Sequence, residues 1–137
     1  MRASVFALTL GQVLLTGVAG SAPAEPIRVE LNAMETAEGR CRVSFVIENK
    51  GEAVVDTLRL DLALFDRGGI VQRRIATDMG PVRAAKTIVK TFPLDGACDE
   101  IGSILVNEVA ACAPADANAC LDRLALSSRI EKVRFYK

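Results

Sequence analysis

From Cys41 the chain alternates apolar and polar positions with a period of two. Cys41, Val43, Phe45 and Ile47 fall on one side, and Arg42, Ser44, Val46 and Glu48 on the other. This is the signature of a half-buried β-strand. The tetrapeptide NKGE, residues 49 to 52, supplies a turn in which Gly51 is free to take a positive φ. Leu58, Leu60, Leu62 and Leu64 then alternate with Arg59, Asp61, Ala63 and Phe65. Leucines at every second position line one face of a sheet and cannot line one face of a helix. DRGG at 66 to 69 marks the next turn, and IVQRRIAT continues with a more polar, edge-like pattern.

Weaker strand signals recur at regular intervals on either side. IRVEL at 27 to 31, TIVKTF at 87 to 92 after Gly80 and Pro81, and SILVNEV at 103 to 109 each read as strands. In ACLDRLAL, Leu121, Leu124 and Ala125 sit at helical spacing and predict one short helix near the C-terminus. RIEKVRFYK reads as a closing strand. About seven short strands with turns between them predict an all-β antiparallel sandwich. No internal repeat or low-complexity linker interrupts the pattern.

The first 24 residues follow a different rule. Arg2, an apolar run to about Val18 and a close on small residues give the layout of a secretory signal peptide. Ala22 and Ala24 occupy the small-residue positions for cleavage after Ala24, so the mature domain is expected to span residues 25 to 137. The run is diluted by Gly11, Gln12, Thr16 and Gly17 and is short for a membrane span of roughly 20 residues. No cysteine is present for lipid attachment and no second arginine adjoins Arg2, which leaves the Sec route to the periplasm or beyond, with no stable membrane anchor after cleavage.

The cysteines agree with that destination. Cys41, Cys98, Cys112 and Cys120 all lie in the mature part, and an even count in an oxidising compartment reads as two disulfides. Three pairings are open. CAPADANAC is a short polar loop whose ends can meet, which favours Cys112 with Cys120 and leaves Cys41 with Cys98. In the chain-entropy account the short loop contributes about 2 to 3 kcal/mol and the long one about 4 kcal/mol. The absence of a CxxC motif argues against catalytic thiols.

Composition narrows the chemistry. The mature part carries 16 basic and 17 acidic residues, interspersed, with no Trp. This balance lacks the basic footprint and the stacking aromatics of a nucleic-acid binder. The chain has no histidine, so no Ser-His-Asp or Cys-His nucleophile can be assembled, and no His-rich zinc or copper site. No catalytic residue, cofactor or metal ligand is assigned. Asp56, Asp61 and Asp66 recur every five residues, which on a strand alternates faces, so they are expected to be solvated or turn residues. Asp99 and Glu100 read as a solvated turn.

VSFVIENKGEAVVDTLRLDLALFDRGGIV, residues 43 to 71, resembles the core of bacterial immunoglobulin-like modules of the FxLYD type, through Asn49, Gly51, Leu62, Phe65, Asp66 and Gly69. More loosely, the leader, GACDEIGSILVNEVAAC, the loop to Cys120 and LALSSR resemble small uncharacterised exported proteins of Gram-negative bacteria. The first likeness implies an immunoglobulin-like sandwich, a fold that hosts many roles.

The remaining candidate is the sheet surface. Arg42, Val46, Arg59, Asp61 and Phe65 lie opposite the leucine and valine core positions and form a mixed outer patch if the two strands pair. This points to a non-enzymatic module that docks to another envelope protein, with Phe65 as apolar anchor and Arg59 as interfacial cation. The alternative is a carrier of a small apolar ligand between the sheets, although the core residues look sufficient to fill that space. QRRI at 72 to 75 reads either as an edge whose arginines deter pairing or as one that receives a partner strand. The oligomeric state does not follow from the sequence. The exported protein is expected to begin at Glu25 with a mass four hydrogens below that of the reduced chain, and intact mass spectrometry with and without reductant checks both points.

Overall fold

The structure, a computed structural model, describes residues 17–20 and 24–137. Most of the leader expected at residues 1 to 24 therefore lies outside the described residues. Eight strands are present among the described residues, in two four-stranded sheets. They are β1 (Ile27–Ala37), β2 (Arg40–Asn49), β3 (Thr57–Asp66), β4 (Val71–Asp78), β5 (Lys86–Asp95), β6 (Ile101–Ala113), β7 (Leu124–Ser128) and β8 (Arg134–Tyr136). One sheet runs β5-β2-β1-β7 and the other β4-β3-β6-β8. The order of the first six strands is that of an immunoglobulin-like sandwich, with β1, β2 and β5 as one side and β4, β3 and β6 as the other.

Most pairings are antiparallel, but β7 lies parallel to β1 and β8 parallel to β6. This is where the expected seven strands become eight. The helix α1 covers only Ala117–Arg123, capped by the Asp116 carboxylate, which accepts from the Ala119 amide at 2.9 Å. Leu124, expected in the helix, instead opens β7, because Leu124 and Leu126 alternate with Ala125 and Ser127 and pair alongside Ile27 and Val29. The closing strand is confined to residues 134–136. Residues 129–133 make a turn instead, closed by the Val133 amide donating to the Ile130 carbonyl at 2.9 Å.

Alternation builds the core as the pattern implies. Leu58, Leu60, Leu62 and Leu64 of β3 are buried against Cys41, Val43, Phe45 and Ile47 of β2, with Val29, Leu31, Ile104 and Val106 beside them. Phe45 meets Phe135 with ring centroids 5.3 Å apart and Phe92 at 6.2 Å, tilted as aromatic pairs prefer. The register of β1 slips between Leu31 and Ala33, which breaks its alternation and accounts for the strand outrunning the IRVEL signal.

Two disulfides join Cys41 to Cys98 and Cys112 to Cys120. The first ties the start of β2 to the 3-10 turn Cys98–Glu100 that leads into β6; the second ties the end of β6 to α1. Two such bonds belong to an oxidising, extracytoplasmic environment. Among the described residues no helix is long and apolar enough to cross a membrane.

β2 and β3 do not pair. Each lies inside a different sheet, so the segment between them is a crossing from one layer to the other rather than a hairpin. Asn49 sets that crossing. Its side chain is fully buried, and its amide donates to the carbonyls of Ala53 at 2.8 Å, Val82 at 3.1 Å and Arg83 at 3.2 Å. Its carbonyl oxygen accepts from the Gly51 amide at 3.0 Å. Asn49→Ala removes these four bonds from a fully buried position, leaving the buried Gly51 amide without its acceptor and the Val82 carbonyl with only the Val55 amide, and is expected to destabilise the oxidised protein by about 2 to 4 kcal/mol. Urea unfolding followed by circular dichroism measures this directly, and an effect below about 0.5 kcal/mol, the range of ordinary surface substitutions, contradicts the assignment.

Candidate functional site

The separation of β2 from β3 divides the five residues expected to form one patch. Arg42 and Val46 face outward from the β5-β2-β1-β7 sheet, where they stand beside Pro93 and Val89 of β5. Arg59, Asp61 and Phe65 face outward from the opposite sheet. A single surface containing all five does not exist, because the two outer faces of a sandwich point in opposite directions.

The face of the β4-β3-β6-β8 sheet is the more structured of the two. On its central strand β3, Arg59, Asp61, Ala63 and Phe65 alternate with the buried leucines. Across the ladder, Ala63 pairs with Leu105 of β6, and Leu105 with Tyr136 of β8. Phe65 pairs with Ser103, which in turn adjoins Arg134. Phe65, Leu105 and Tyr136 are thus half-buried neighbours on adjacent strands, close enough for aromatic and long side chains to interact. The Arg134 guanidinium lies 3.9 Å from the centre of the Tyr136 ring, a cation–π contact. A shallow depression of about 340 Å³ lined by Leu105, Asn107, Leu121 and Lys137 adjoins this edge of the face.

Asp61 is not the solvated residue its spacing suggests, being only 8% exposed. The Arg74 guanidinium of β4 pairs with its carboxylate, and the Asn107 amide of β6 donates to the same carboxylate at 3.0 Å. Asn107 reaches it because the register of β6 against β3 skips one residue between Asp61 and Leu62, a bulge that re-aims the side chain across the face. Asp66, by contrast, is the turn residue expected: its Oδ1 accepts from the amides of Gly68 and Ile70, each at 2.9 Å, while Gly69 takes φ 80°. Asp99 and Glu100 are exposed in the short 3-10 turn, as read.

The hydrogen bond from Arg74 holds the Asp61 carboxyl below its ordinary range against the opposing effect of burial, with Asn107 and the charge of Arg74 adding to the shift. The same pairing raises Arg74 further, aided more weakly by the nearby Glu108. Asp61 is therefore a fixed anion at neutral pH rather than a proton donor. This face therefore brings together an ion pair, an amide, an arginine-capped tyrosine and two half-buried apolar side chains.

Leu105, Asn107, Arg74, Arg134 and Tyr136 are absent from the sequence-derived patch. Leu105 and Tyr136 do alternate with buried neighbours, Ile104 and Val106 in one case and Phe135 in the other. Finding them needed only the knowledge of which strands are adjacent, which alternation does not carry. No family model matches the chain, and no curated protein or solved structure matches it either.

The sign of the Asp61 shift gives a pH dependence. A carboxylate whose folded pKa is lowered contributes stability that is present above its unfolded value, about 3.9, and is lost as pH falls through the folded value. The stability advantage of the native protein over Asp61→Asn is expected to be constant near neutrality and to shrink as pH falls below about 4. Parallel urea titrations of the two proteins between neutral and acid pH follow that difference, and a gap that does not narrow on acidification rules out the ionised pair as its source.

Proposed function

We propose that this protein is an exported, periplasmic, non-enzymatic accessory module of the immunoglobulin-like FxLYD kind that docks to another envelope protein. The observation that carries this reading is the outer face of the β4-β3-β6-β8 sheet. There Phe65, Leu105 and Tyr136 stand together beside the Asp61, Arg74 and Asn107 cluster. Aromatic side chains and arginines grouped with polar side chains on one face match the make-up of protein interfaces. The lack of histidine and the fixed ionisation of Asp61 favour binding over turnover. The leader pattern and the two disulfides support the Sec route and the periplasm.

Phe65 serves as the apolar anchor and Arg59, exposed at the other end of the same row, as an interfacial cation. In crosslinked bacterial envelope, the oxidised mature protein is expected to give one reproducible protein adduct. Phe65→Ala combined with Arg59→Ala is expected to remove it while leaving the melting temperature within a few degrees of the native value. An adduct that persists in the doubly substituted, folded protein excludes this face. Copurification of a small apolar molecule in place of a protein overturns the docking reading in favour of a carrier.

A further inference from the structure

The two long sides of the sandwich are finished differently. On one side β7 and β8 are joined by a short turn that steps from one sheet to the other, and both lie at the ends of their sheets. On the opposite side β4 and β5 are long edge strands whose outer sides have no strand partner among the described residues. Such edges present rows of backbone donors and acceptors to any extended chain. We propose that β5 is an acceptor edge for an extended segment of another protein, one that alternates carboxylates with apolar residues.

The backbone polarity of β5 follows from two independent features. The β1–β2 hairpin turns on two residues, Glu38 and Gly39, both at positive φ, so Ala37 and Arg40 close it and the even-numbered residues of β2 bond to β1. The odd-numbered residues of β2 then bond to their partners in β5, which are Lys86, Ile88, Lys90, Phe92 and Leu94. Thr87, Val89 and Thr91 are left to point their amides and carbonyls away from the sheet. Pro93, which has no amide to offer, falls in this outward set, the place where an edge strand tolerates proline.

Side chains define what the edge accepts. Ile88, Lys90 and Phe92 face the interior between the sheets but are only half-buried, so the apolar layer ends unfinished at this edge. A strand added here covers Ile88 and Phe92 with its own alternate residues. Lys86 and Lys90 make no ion pair among the described residues, whereas Asp95, the one acid of β5, is held by Arg40 at 3.4 Å and Arg73 at 3.9 Å. The edge is thus positive at two alternate positions, each separated from the next apolar position by one residue. On the outward face Thr87, Val89 and Thr91 are uncharged, Asp95 closes the row at the end of the strand, and Val89 is 63% exposed.

The same lysines discriminate against a second copy of this chain. In a two-fold antiparallel pairing that keeps both cores on one side, opposite residues share the same parity. Every such register sets Lys86 or Lys90 against a lysine or an apolar side chain, an arrangement that penalises self-association. A foreign strand with carboxylates at those positions converts the penalty into attraction.

The test uses the oxidised mature protein and the capped peptide Val-Thr-Glu-Val-Val-Thr-Glu, whose glutamates fall opposite Lys90 and Lys86 in antiparallel register. Titration is expected to shift the amide resonances of Thr87, Val89 and Thr91 saturably and to slow their hydrogen exchange. The same peptide with lysines in place of glutamates is expected to bind at least tenfold more weakly. Lys86→Glu with Lys90→Glu, checked for an unchanged melting curve, is expected to invert that preference. Equal binding of both peptides, changes centred on the β4 amides, no change at all, or dimerisation through β5 without peptide would each overturn the proposal. None of these readings depends on the Phe65 face, so the two surfaces stand or fall separately.

Discussion

One buried amide decides how this chain is divided between two sheets. At the end of β2 the backbone must leave its sheet, turn, and pass to the other layer to begin β3, running beside the connection between β4 and β5. Asparagine meets this need because a short side chain brings two donors and an acceptor to one point. From the end of β2, Asn49 holds the carbonyls of Ala53, Val82 and Arg83, and its own oxygen fixes the Gly51 amide. The crossing between β2 and β3 is thereby bound to the connection between β4 and β5, which the Val55–Val82 bridge and the bond from the Ala85 amide to the Gly51 carbonyl reinforce. With the layers so assigned, the leucines of β3 and the mixed apolar row of β2 face one another and form the core.

The C-terminal third closes what this arrangement leaves open. β6 ends at the far side of the sandwich, where Cys112 and Cys120 tether α1. The tether places Leu124 beside Ile27 at the start of β1, so β7 adds in parallel and buries its leucine, and the turn after Ser128 sends β8 back beside β6. Arg123 donates to the Glu25 carbonyl at 3.0 Å, and Lys137 to the Leu121 carbonyl at 2.6 Å, so both ends of the described domain are bound to this same region. One flank is sealed by chain, while the other is finished only by side chains.

How much of this was legible depended on the range of the interaction. Alternation in 41 to 48 and 58 to 65 is local, and both strands appear where it places them, with the buried residues it names. The turn roles of Asp66 and Gly69 are local too, and the cysteine pairing rested on loop length. Strand neighbourhood is a different kind of information. Treating β2 and β3 as paired assumed that a short connection makes a hairpin, whereas Asn49 reaches partners more than thirty residues away. The helical spacing of Leu121 and Leu124 was overruled in the same manner, since parallel pairing with β1 buries Leu124 more fully than a further turn of a short helix exposed on one side. Bulges hid the rest: the residue skipped in β6 puts Asn107 onto Asp61, and nothing in the sequence marks the skip.

Arg73 and Arg74 show how one strand contributes to two faces. Successive side chains of a strand point to opposite faces. Arg74 lies on the outer face and closes over Asp61, where the ion pair gains the Asn107 hydrogen bond that a partly buried carboxylate requires. Arg73, one residue earlier, turns toward the interior and reaches Asp95 at the end of β5. Read in sequence as part of an edge that either deters pairing or receives a partner strand, they have separate partners in the fold. The inward arginine links the ends of the two edge strands through Asp95, while the outward one sets an ion pair into the Phe65 face. The partner proposed for that face would approach perpendicular to the sheet, and the strand proposed for β5 would approach in the plane of the other sheet. β4, the edge strand of the sheet that carries the Phe65 face, separates the two directions.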